Sequence, residues 1–326
     1  MRRLDVAIER WPIAGSFTIS RGSRTEAVVV TATVSDGETS GRGECVPYAR
    51  YGETVEGVAD FIREQAPLIG DGVGREALLA RMAAGAARNA LDCALWDFEA
   101  KRNGRRAWEI AGLAAPAPVT TCFTLSLGSP DSMHQAARAA ALRPLLKVKL
   151  GGEGDAERIA AVREAAPDAR LVVDANEAWR ETTLLTNLAA CDRAGVLLIE
   201  QPLPAGADAV LEGVKSPILI CADESLHDRA GLDALSAKYG AINIKLDKAG
   251  GLTEALQLAA EARARGLAIM VGCMVGTSLA MAPATLLTPG AAFVDLDGPL
   301  LLATDRAPGL AYDGSLVHAP DVALWG

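Results

Sequence analysis

Two lysines in one short strand are the first residues of this chain that could do chemistry. Lys147 and Lys149 alternate with apolar residues over 146–150, a pattern that predicts a short buried strand. Side chains two apart on a strand share a face, so both ammonium groups point the same way. Repulsion and burial would both lower their pKa values, which makes a lysine usable as a general base near neutral pH. An exposed edge strand with a solvated lysine face is the alternative.

Carboxylates end the next three predicted strands. Asp174, Glu200 and Asp223 follow short apolar runs at intervals of 26 and 23 residues. Adjacent barrel strands lie about 4.8 Å apart, so the three groups can converge on one ion. Oxygen ligands without histidine or cysteine favour Mg²⁺, with Mn²⁺ as an alternative, over Zn²⁺. For any one of the three, a helix cap is the other interpretation.

A third lysine, Lys245, ends the sixth predicted strand. In an eight-stranded barrel this strand lies opposite the one that carries Lys147 and Lys149. A substrate between them would meet a lysine on each face, as a 1,1-proton transfer requires: one base removes the α-proton and the other returns it from the opposite side. A carboxylate on Mg²⁺ could accept the charge as an enediolate. A structural ion pair is the alternative role of Lys245.

The elements that would hold these residues repeat about every 25 residues from Val119 onward. Apolar strands alternate with amphipathic helices, which indicates parallel strands buried on both faces. Eight such strands predict a β/α barrel whose strand ends share one mouth. A doubly wound sheet is the alternative, although no GxGxxG follows the first strand. The predicted strands are Val119–Leu125, Leu145–Leu150, Arg170–Asp174, Val196–Glu200, Ile218–Ala222, Ala241–Lys245, Ala268–Gly272 and Ala292–Asp295.

A separate α+β domain precedes the barrel and spans residues 1–115, which leaves 116–299 for the barrel. Ser16–Thr25 is predicted as a loop between its first two strands. No full helix follows the eighth barrel strand, so we expect the tail, about 300–326, to return to the first domain. The predicted elements of that domain are strands at Leu4–Trp11, at Ala27–Val34 and up to Cys45, and helices at Thr54–Leu68 and Arg75–Lys101.

Composition limits the class of function. Half of the 326 residues are hydrophobic, the net charge is −9 and the pI is about 5.0. The chain has no basic run typical of nucleic-acid binding, no apolar run of membrane-spanning length and no apolar signal-peptide core at its N-terminus. Six cysteines without a CxxC pair indicate reduced thiols. We therefore expect a cytoplasmic protein with a small-molecule substrate and neither nucleic acid nor membrane as a partner.

Five motifs follow one another at the strand ends: Lys-Val-Lys, Val-Asp-Ala-Asn, Ile-Glu-Gln-Pro, Ala-Asp-Glu-Ser and Asn-Ile-Lys-Leu-Asp-Lys-Ala-Gly-Gly. Together they resemble the enolase superfamily, muconate-lactonising-enzyme subgroup, over nearly the whole chain. The resemblance implies a (β/α)₇β barrel with an N-terminal α+β capping domain, and Mg²⁺ on the three carboxylates. It also implies Lys149 and Lys245 as the acid/base pair, with Lys147 tuning Lys149 and contacting the substrate carboxylate. Branches with histidine bases are disfavoured, because none of the three histidines ends a predicted strand.

The sequence Asp295-Leu296-Asp297 ends the eighth strand and bears on the substrate. It is similar to the DxD of dipeptide epimerases in this family, which implies that Asp295 holds the substrate's ammonium group in a dry cleft. A cap beside Gly298 is the alternative for one of the two acids. N-acylamino acid racemases and o-succinylbenzoate synthases share the metal and the lysines and remain alternative functions. A non-catalytic binder is disfavoured, since it would not need opposed bases.

Residues 19–24 look like the loop of L-Ala-D/L-Glu epimerases, which act on murein peptides. In this family the loop would close over the mouth, where Arg21 or Arg24 could bind a side-chain carboxylate bidentately. Solvated arginines are the alternative. Cys273 and Met274, in an apolar loop after the seventh strand, are expected beside the side chain of the first substrate residue. Capped barrels often assemble, which leaves a homo-oligomer open.

Overall fold

A three-stranded antiparallel sheet and five helices form the N-terminal domain. The computed structural model describes residues 1–326. The valine-rich run 28–30 and its continuation to 34 occupy the central strand, whose inner residues pack against the helices in a cluster of 17 buried residues. The elements are β1 (Arg3–Ile19), β2 (Gly22–Ser35), β3 (Ser40–Cys45), α1 (Val55–Glu64), α2 (Ala66–Gly70), α3 (Arg75–Arg81), α4 (Ala86–Asn103) and α5 (Ala107–Ile110).

β1 and β2 are much longer than the sequence predicts and pair as far as Ile19 with Gly22. The predicted loop Ser16–Thr25 is therefore wrong, because this segment is a two-stranded arm with Ser20 and Arg21 at its tip. Residues 22–25 carry no apolar side chain, and most side chains of the whole segment are exposed rather than packed in a core. The pairing comes from the backbone, which sequence patterns do not report.

Two predicted helices are interrupted. The segment Thr54–Leu68 divides into α1 and α2, and Arg75–Lys101 divides into α3 and α4. Gly85 precedes α4 with a φ of 144°, which a helix cannot accommodate. Apolar residues on both sides of each break face the same core, so the helical period continues across it. The sequence pattern consequently did not reveal either break.

Eight parallel strands follow in chain order, each paired with its sequence neighbour. The backbone N–H of Cys122 donates to Val294 O at 2.8 Å, which joins the two ends of the sheet into a ring. The expected (β/α)₇β fold with its capping domain is confirmed. β4 (Val119–Thr120) lies outside the ring, so the first predicted strand is divided. The ring consists of β5 (Phe123–Leu125), β6 (Leu145–Lys149), β7 (Arg170–Asp174), β8 (Val196–Glu200), β9 (Leu219–Ala222), β10 (Ala241–Ile244), β11 (Ala268–Val271) and β12 (Phe293–Val294).

Helices cover the outside of the ring and bury its apolar strands in a cluster of 58 residues. A 3₁₀ segment, Ala209–Gly213, takes the place of a helix between β8 and β9. None of the helices combines the length and apolarity that a membrane crossing requires. The helices are α6 (Pro130–Ala139), α7 (Asp155–Ala165), α8 (Glu181–Arg193), α9 (Leu232–Leu235), α10 (Leu246–Ala249), α11 (Leu252–Ala264) and α12 (Ser278–Ala284).

The C-terminal segment crosses back to the N-terminal domain. A short hairpin of β13 (Tyr312–Asp313) and β14 (Leu316–Val317) first pairs with β4. Gly326 N then donates to Asp97 Oδ1 at 2.7 Å, and the Trp325 indole donates to Cys93 O at 3.0 Å. Both acceptors belong to α4, so this helix contacts the chain terminus as well as the barrel.

Candidate active site

Side chains that face the barrel interior are stacked in layers, because residues two apart on a strand share a face. The innermost layer is apolar and takes one residue from each strand position: Cys122, Leu145, Val172, Leu198, Cys221, Ala241, Met270 and Phe293. Two residues closer to the mouth, seven of these positions carry buried polar side chains: Thr124, Lys147, Asp174, Glu200, Asp223, Asn243 and Asp295. The apolar layer therefore closes the interior below the polar one.

Lys147 lies at the centre of the polar layer. Its Nζ is 2.7 Å from Glu200 Oε2, 2.7 Å from Asp295 Oδ2 and 3.3 Å from Asp174 Oδ2. Burial lowers the pKa of Lys147, but these three carboxylates outweigh it and hold the pKa well above its usual value. The predicted lowering of this pKa by a neighbouring lysine is therefore wrong. The strand pattern shows only the neighbouring lysine, whereas the fold surrounds the ammonium with three carboxylates.

Lys149 and Lys245 are one layer nearer the mouth. Lys149 Nζ is 2.6 Å from Asp174 Oδ2, and Lys245 Nζ is 2.7 Å from Asp223 Oδ2. Burial lowers the pKa of Lys245, but Asp223 and Glu200 raise it well above its usual value. The strands β6 and β10 are four places apart in the ring of eight, so the two lysines approach the axis from opposite sides.

The carboxylates respond differently to the same burial. Burial raises the pKa of Asp174, but Lys149 and Lys147 hold it at about 2. Asp223 behaves similarly, because Lys245 and Lys248 hold its pKa well below the usual range against burial. Burial raises the pKa of Glu200 to about 6, and the charge of Asp174 adds to the effect.

The donor set suits a hard cation. Asp174, Glu200 and Asp223 come from adjacent strands and offer only oxygen atoms as ligands. In this structure, however, no three acidic, histidine or cysteine side chains are arranged closely enough to hold a metal ion. Lysine ammonium groups balance these carboxylates instead. Most of the buried polar side-chain atoms that lack any partner lie here, and all of these are oxygens: Asn176 Oδ1, Glu224 Oε2, Asn243 Oδ1 and Asp295 Oδ1. Oxygen acceptors in excess of donors fit a cation.

Backbone strain is concentrated at the same rim. Asn176, Glu177 and Gln201 are the non-glycine residues of the chain with positive φ, at 43°, 67° and 34°. They follow the ends of β7 and β8, directly beyond Asp174 and Glu200. Such conformations cost about 1–3 kcal/mol each and persist where surrounding contacts impose them, commonly at functional sites.

Two residues of the site, Lys248 and Asn243, were missed by sequence reasoning. Lys248 Nζ lies 2.6 Å from Asp223 Oδ1 and donates to Asn243 O at 3.2 Å. Asn243 Nδ2 donates to Glu200 Oε1 at 2.7 Å. The signal for Asn243 was its position two residues before Lys245 on one strand face. No comparable signal marked Lys248, because its contact depends on how the chain turns after the strand.

A cavity of about 200 Å³ lies between the arm and the barrel mouth. Lys149, Lys245 and Asp223 line it from the barrel, and the predicted residues Cys273 and Met274 line it from the loop after β11. Phe17 and Ile19 of the arm add apolar surface, so the cavity has a polar floor and an apolar wall.

The two arm arginines differ in their partners. Arg21 is held by four contacts: Nη1 donates to Asn176 O and Glu177 Oε2, and Nη2 donates to Tyr48 Oη and Glu224 Oε1. Arg24 lies over the ring of Tyr48 at 5.4 Å and makes no ion pair. Both line the cavity, but only the guanidinium of Arg24 is free to bind an anion.

Asp295 and Asp297, which follow β12, are buried and do not line the cavity. Asp295 Oδ2 contacts Lys147, whereas its Oδ1 has no hydrogen bond. Asp297 Oδ2 accepts the backbone N–H of Thr124 at 2.6 Å. Burial and the neighbouring Asp295 raise the pKa of Asp297 to about 7. Asp295 thus belongs to the polar layer, and Asp297 follows it by two residues toward the mouth end of the barrel.

Comparison with known proteins identifies the architecture. Residues 1–112 match the N-terminal domain of the mandelate racemase / muconate lactonizing enzyme family, and residues 131–321 match the enolase C-terminal domain-like family. The chain belongs to the enolase superfamily. The resemblance noted in the motifs is thereby confirmed, and the two matches cover both the capping domain and the barrel.

Two curated relatives in the superfamily are especially similar. The L-Ala-D/L-Glu epimerase of Escherichia coli (strain K12) is 47% identical over 320 residues, which cover 98% of this chain and 100% of the relative. The N-acetyl-D-glutamate racemase of a Pseudoalteromonas species is 44% identical over 303 residues, which cover 91% of this chain and 95% of the relative. An epimerase and a racemase are both isomerases.

Solved structures extend the comparison to bound molecules. An enolase family member from Agrobacterium tumefaciens, with homology to dipeptide epimerases, holds sodium and L-Ala-L-Glu with an ordered loop; it superposes with a TM-score of 0.98 at 54% identity, and all of both chains is covered. A dipeptide epimerase from Enterococcus faecalis V583, complexed with Mg and L-Leu-L-Tyr, superposes with a TM-score of 0.90 at 27% identity; the match covers 98% of this chain and 97% of the other.

Proposed function

We propose that this protein epimerises dipeptides at the α-carbon of their C-terminal residue, and that L-Ala-L-Glu and L-Ala-D-Glu are its substrates. The observation that carries the proposal is the pair Lys149 and Lys245, which face one cavity from opposite sides of the barrel. Inversion at carbon by proton transfer needs one base on each side of the reacting centre. The names of the two close relatives agree with this class of reaction.

Asp174, Glu200 and Asp223 would hold a Mg²⁺ ion, and Mn²⁺ would suit the same oxygens. The three residues lie on adjacent strands, and unpartnered oxygens surround them. When bound, the ion would take over the carboxylate charges from the lysines and stabilise the negative charge that develops on the substrate carboxylate as the α-proton leaves.

The lysines would share the proton transfer. In one direction the neutral amine of Lys149 would accept the α-proton while the ammonium of Lys245 donates a proton to the other face; in the reverse direction their roles and protonation states are exchanged. Each Nζ is already positioned by a carboxylate, at 2.6 and 2.7 Å. Lys147 would remain an ammonium, because its three carboxylate contacts stabilise the charged form. We propose that it contacts the substrate carboxylate and tunes Lys149.

Asp295 would bind the ammonium group of the dipeptide. Its Oδ1 is buried without a hydrogen bond, and a cationic donor would satisfy it. Asp297 would support this site from its contact with the Thr124 N–H. Cys273 and Met274 would contact the side chain of the first residue, where an apolar wall favours a small apolar group such as that of alanine.

Arg24 would bind the side-chain carboxylate of the second residue. It lines the cavity and has no carboxylate partner of its own, whereas Arg21 is already held by Glu224 and Glu177. A guanidinium recognises a carboxylate bidentately, which favours glutamate over an apolar residue. Arg21 would instead hold the tip of the arm on the barrel rim.

Racemisation of N-acylated glutamate is the second candidate, with an o-succinylbenzoate synthase-type reaction behind it. The Pseudoalteromonas relative is an N-acetyl-D-glutamate racemase, and in this chain Lys147 already balances Asp295. Because Lys147 already neutralises Asp295, a substrate without an ammonium group would leave less unpaired negative charge in the site than two unpaired aspartates would. The unpartnered Oδ1 of Asp295 favours the dipeptide.

Murein-derived dipeptides and a cytoplasmic location fit this proposal. L-Ala-D-Glu contains a D-residue of the kind that murein supplies, and all six cysteines are free thiols, five of them buried. Reduced thiols are typical of a reducing compartment.

Proton NMR in D₂O with Mg²⁺ tests the proposal. We expect L-Ala-L-Glu to lose the α-proton signal of its C-terminal residue while the L,D diastereomer appears. N-propionyl-L-glutamate differs from this dipeptide only by the missing ammonium group and is the matched control. Faster exchange of the acylated compound would replace dipeptide epimerisation by N-acylglutamate racemisation. No exchange of either would refute both.

A further inference from the structure

We infer that one face of α4 in the capping domain, formed by Arg88, Asn89 and Asp92, positions Lys245 and leaves Lys149 unaffected. The inference rests on the proposed two-lysine function and names a positioning role that the comparisons do not assign. The three side chains are 6%, 1% and 2% exposed, so this polar face is buried against the barrel. Buried polar side chains are retained where specific partners satisfy them.

Each member of this face contacts the segment that follows Lys245. Arg88 Nε donates to Gly250 O at 2.8 Å, and its Nη2 donates to Ala249 O at 2.6 Å. These carbonyl groups end α10, where they would otherwise lack partners. The guanidinium therefore caps α10 from another domain.

Asn89 and Asp92 hold the two ends of the same segment. Asn89 Nδ2 donates to Asp247 Oδ1 at 2.8 Å, and the N–H of Val46 donates to the same oxygen at 3.0 Å. The carboxylate of Asp92 accepts the N–H of Thr253 at 2.9 Å and its hydroxyl at 2.5 Å. Residues 247 to 253 are thus fixed at both ends and in the middle.

The glycines of this segment make the close approach possible. A Cβ on Gly250 would lie 2.6 Å from Arg88 Nε, and one on Gly251 would lie 2.5 Å from Asp92 Cβ. Their φ values of 78° and 114° also favour glycine. The Arg88 and Asp92 side chains of α4 therefore lie directly against the backbone of this turn.

The segment is directly connected to the second base. Lys245 is the N-cap residue of α10, and its carbonyl accepts the N–H groups of Lys248 and Ala249 at 3.1 and 2.9 Å. A shift of α10 would move the Lys245 backbone and also Lys248, whose ammonium holds Asp223. Proton transfer depends steeply on such placement.

Lys149 is supported without the capping helix. The turn after it is held by Asp155 of α7, which accepts the N–H groups of Gly151 and Gly152 at 2.9 and 2.8 Å. The indole of Trp179 donates to the same carboxylate at 2.8 Å. Because these contacts all lie in the barrel, the two bases are positioned by different parts of the molecule.

The asymmetry can be measured by following α-proton exchange in D₂O separately from L-Ala-L-Glu and from L-Ala-D-Glu. Lys245→Ala first identifies the epimer whose proton faces Lys245. We expect Asn89→Leu to slow exchange of that epimer by about ten- to a hundredfold and to leave exchange of the other within about twofold. Asn187→Leu, which changes a buried asparagine of α8, is the matched control and should leave both rates unchanged.

A reciprocal exchange of the pair tests the contact itself. Asn89→Asp places two carboxylates together and should slow the same epimer, whereas Asn89→Asp combined with Asp247→Asn restores a donor and an acceptor and should recover the rate. Amide hydrogen exchange of residues 246–253 should accelerate in Asn89→Leu and Asn89→Asp and return to the wild-type rate in the double variant. Thermal unfolding shows whether each variant is folded.

Equal slowing of both epimers, or unchanged amide exchange in residues 246–253 of Asn89→Leu, would overturn the positioning role and leave the proposed function intact. Wild-type protein that exchanges neither epimer would instead refute the proposed function, and the amide-exchange comparison would still decide whether α4 fixes this segment.

Discussion

Lys149 and Lys245 face one cavity from strands four places apart in a ring of eight, and each is held by a different carboxylate. A planar carbanion between them would be open to protonation on either face. The barrel thus places two lysines on opposite sides of one cavity, which a single strand or loop could not do.

Replacing either lysine should strongly slow epimerisation but leave α-proton exchange of one of the two epimers. We expect Lys149→Ala and Lys245→Ala each to lower the epimerisation rate by about 10²–10⁴-fold, because general acid–base catalysis contributes that much. Each variant should still exchange the α-proton of one epimer, a different one in each case. Proton NMR in D₂O measures both rates, with the exposed Lys215→Ala as control. Loss of exchange from the same epimer in both variants would exclude two opposed bases.

The carboxylate triad should bind Mg²⁺ and couple it to stability. Because the ion would bind the folded state, Mg²⁺ at a hundred times its Kd should stabilise the wild-type protein by about 2.7 kcal/mol. We expect Glu200→Gln to weaken Mg²⁺ binding in isothermal titration calorimetry and to lose this stabilisation, whereas exposed Asp131→Asn keeps both. Equal affinity in Glu200→Gln and wild type would place the ion elsewhere.

Replacing the two arm arginines should have different effects: Arg24 should affect substrate selectivity, and Arg21 the closure of the arm. Arg24→Met should raise KM for L-Ala-L-Glu by about ten- to a hundredfold, as the loss of a charged hydrogen bond predicts, and change L-Ala-L-Leu little. Arg21→Met should raise KM for both substrates alike, because the contacts of Arg21 with Glu224 and Glu177 hold the arm rather than the side chain of the substrate. Steady-state kinetics with both dipeptides measures this, and the reverse pattern would exchange the two roles.

Asp247 should make stability depend on pH. Burial raises its pKa to about 7 against partial compensation by Val46 N–H and Asn89. The folded state consequently binds more protons than the unfolded state between the ordinary carboxyl pKa and about 7, so stability falls as pH rises through that window, by at most about 1.4 kcal/mol per unit.

Asp247→Asn keeps the acceptor oxygen and removes the charge. We expect it to raise Tm at pH 8 and to have much less effect at pH 4, which is close to the ordinary carboxyl pKa, so that the two states differ little in their charge cost. Thermal unfolding across pH 4–8 measures the difference, with Asp131→Asn as the surface control. A constant difference between Asp247→Asn and wild type at all pH values would show that the charge of Asp247 is not responsible.

The barrel and its polar layer could be predicted from the sequence because both depend on local patterns. Strand periodicity located β7 and β8 to the residue, and the placement of Lys147 and Lys149 two apart fixed their common face. Residues 16–25 could not be predicted in this way. Their strands are held by backbone pairing and by contacts of Arg21 with residues more than 150 positions away.

Taken alone, the sequence determined the family, the (β/α)₇β fold and the identity of the acidic and basic residues at the strand ends, since each of these is encoded in short motifs at regular spacing. Only the tertiary structure decided which arginine is free, which lysine has a raised pKa and which domain holds Lys245. These properties depend on contacts between distant segments, such as Arg88 with Gly250, and on burial that no local pattern specifies.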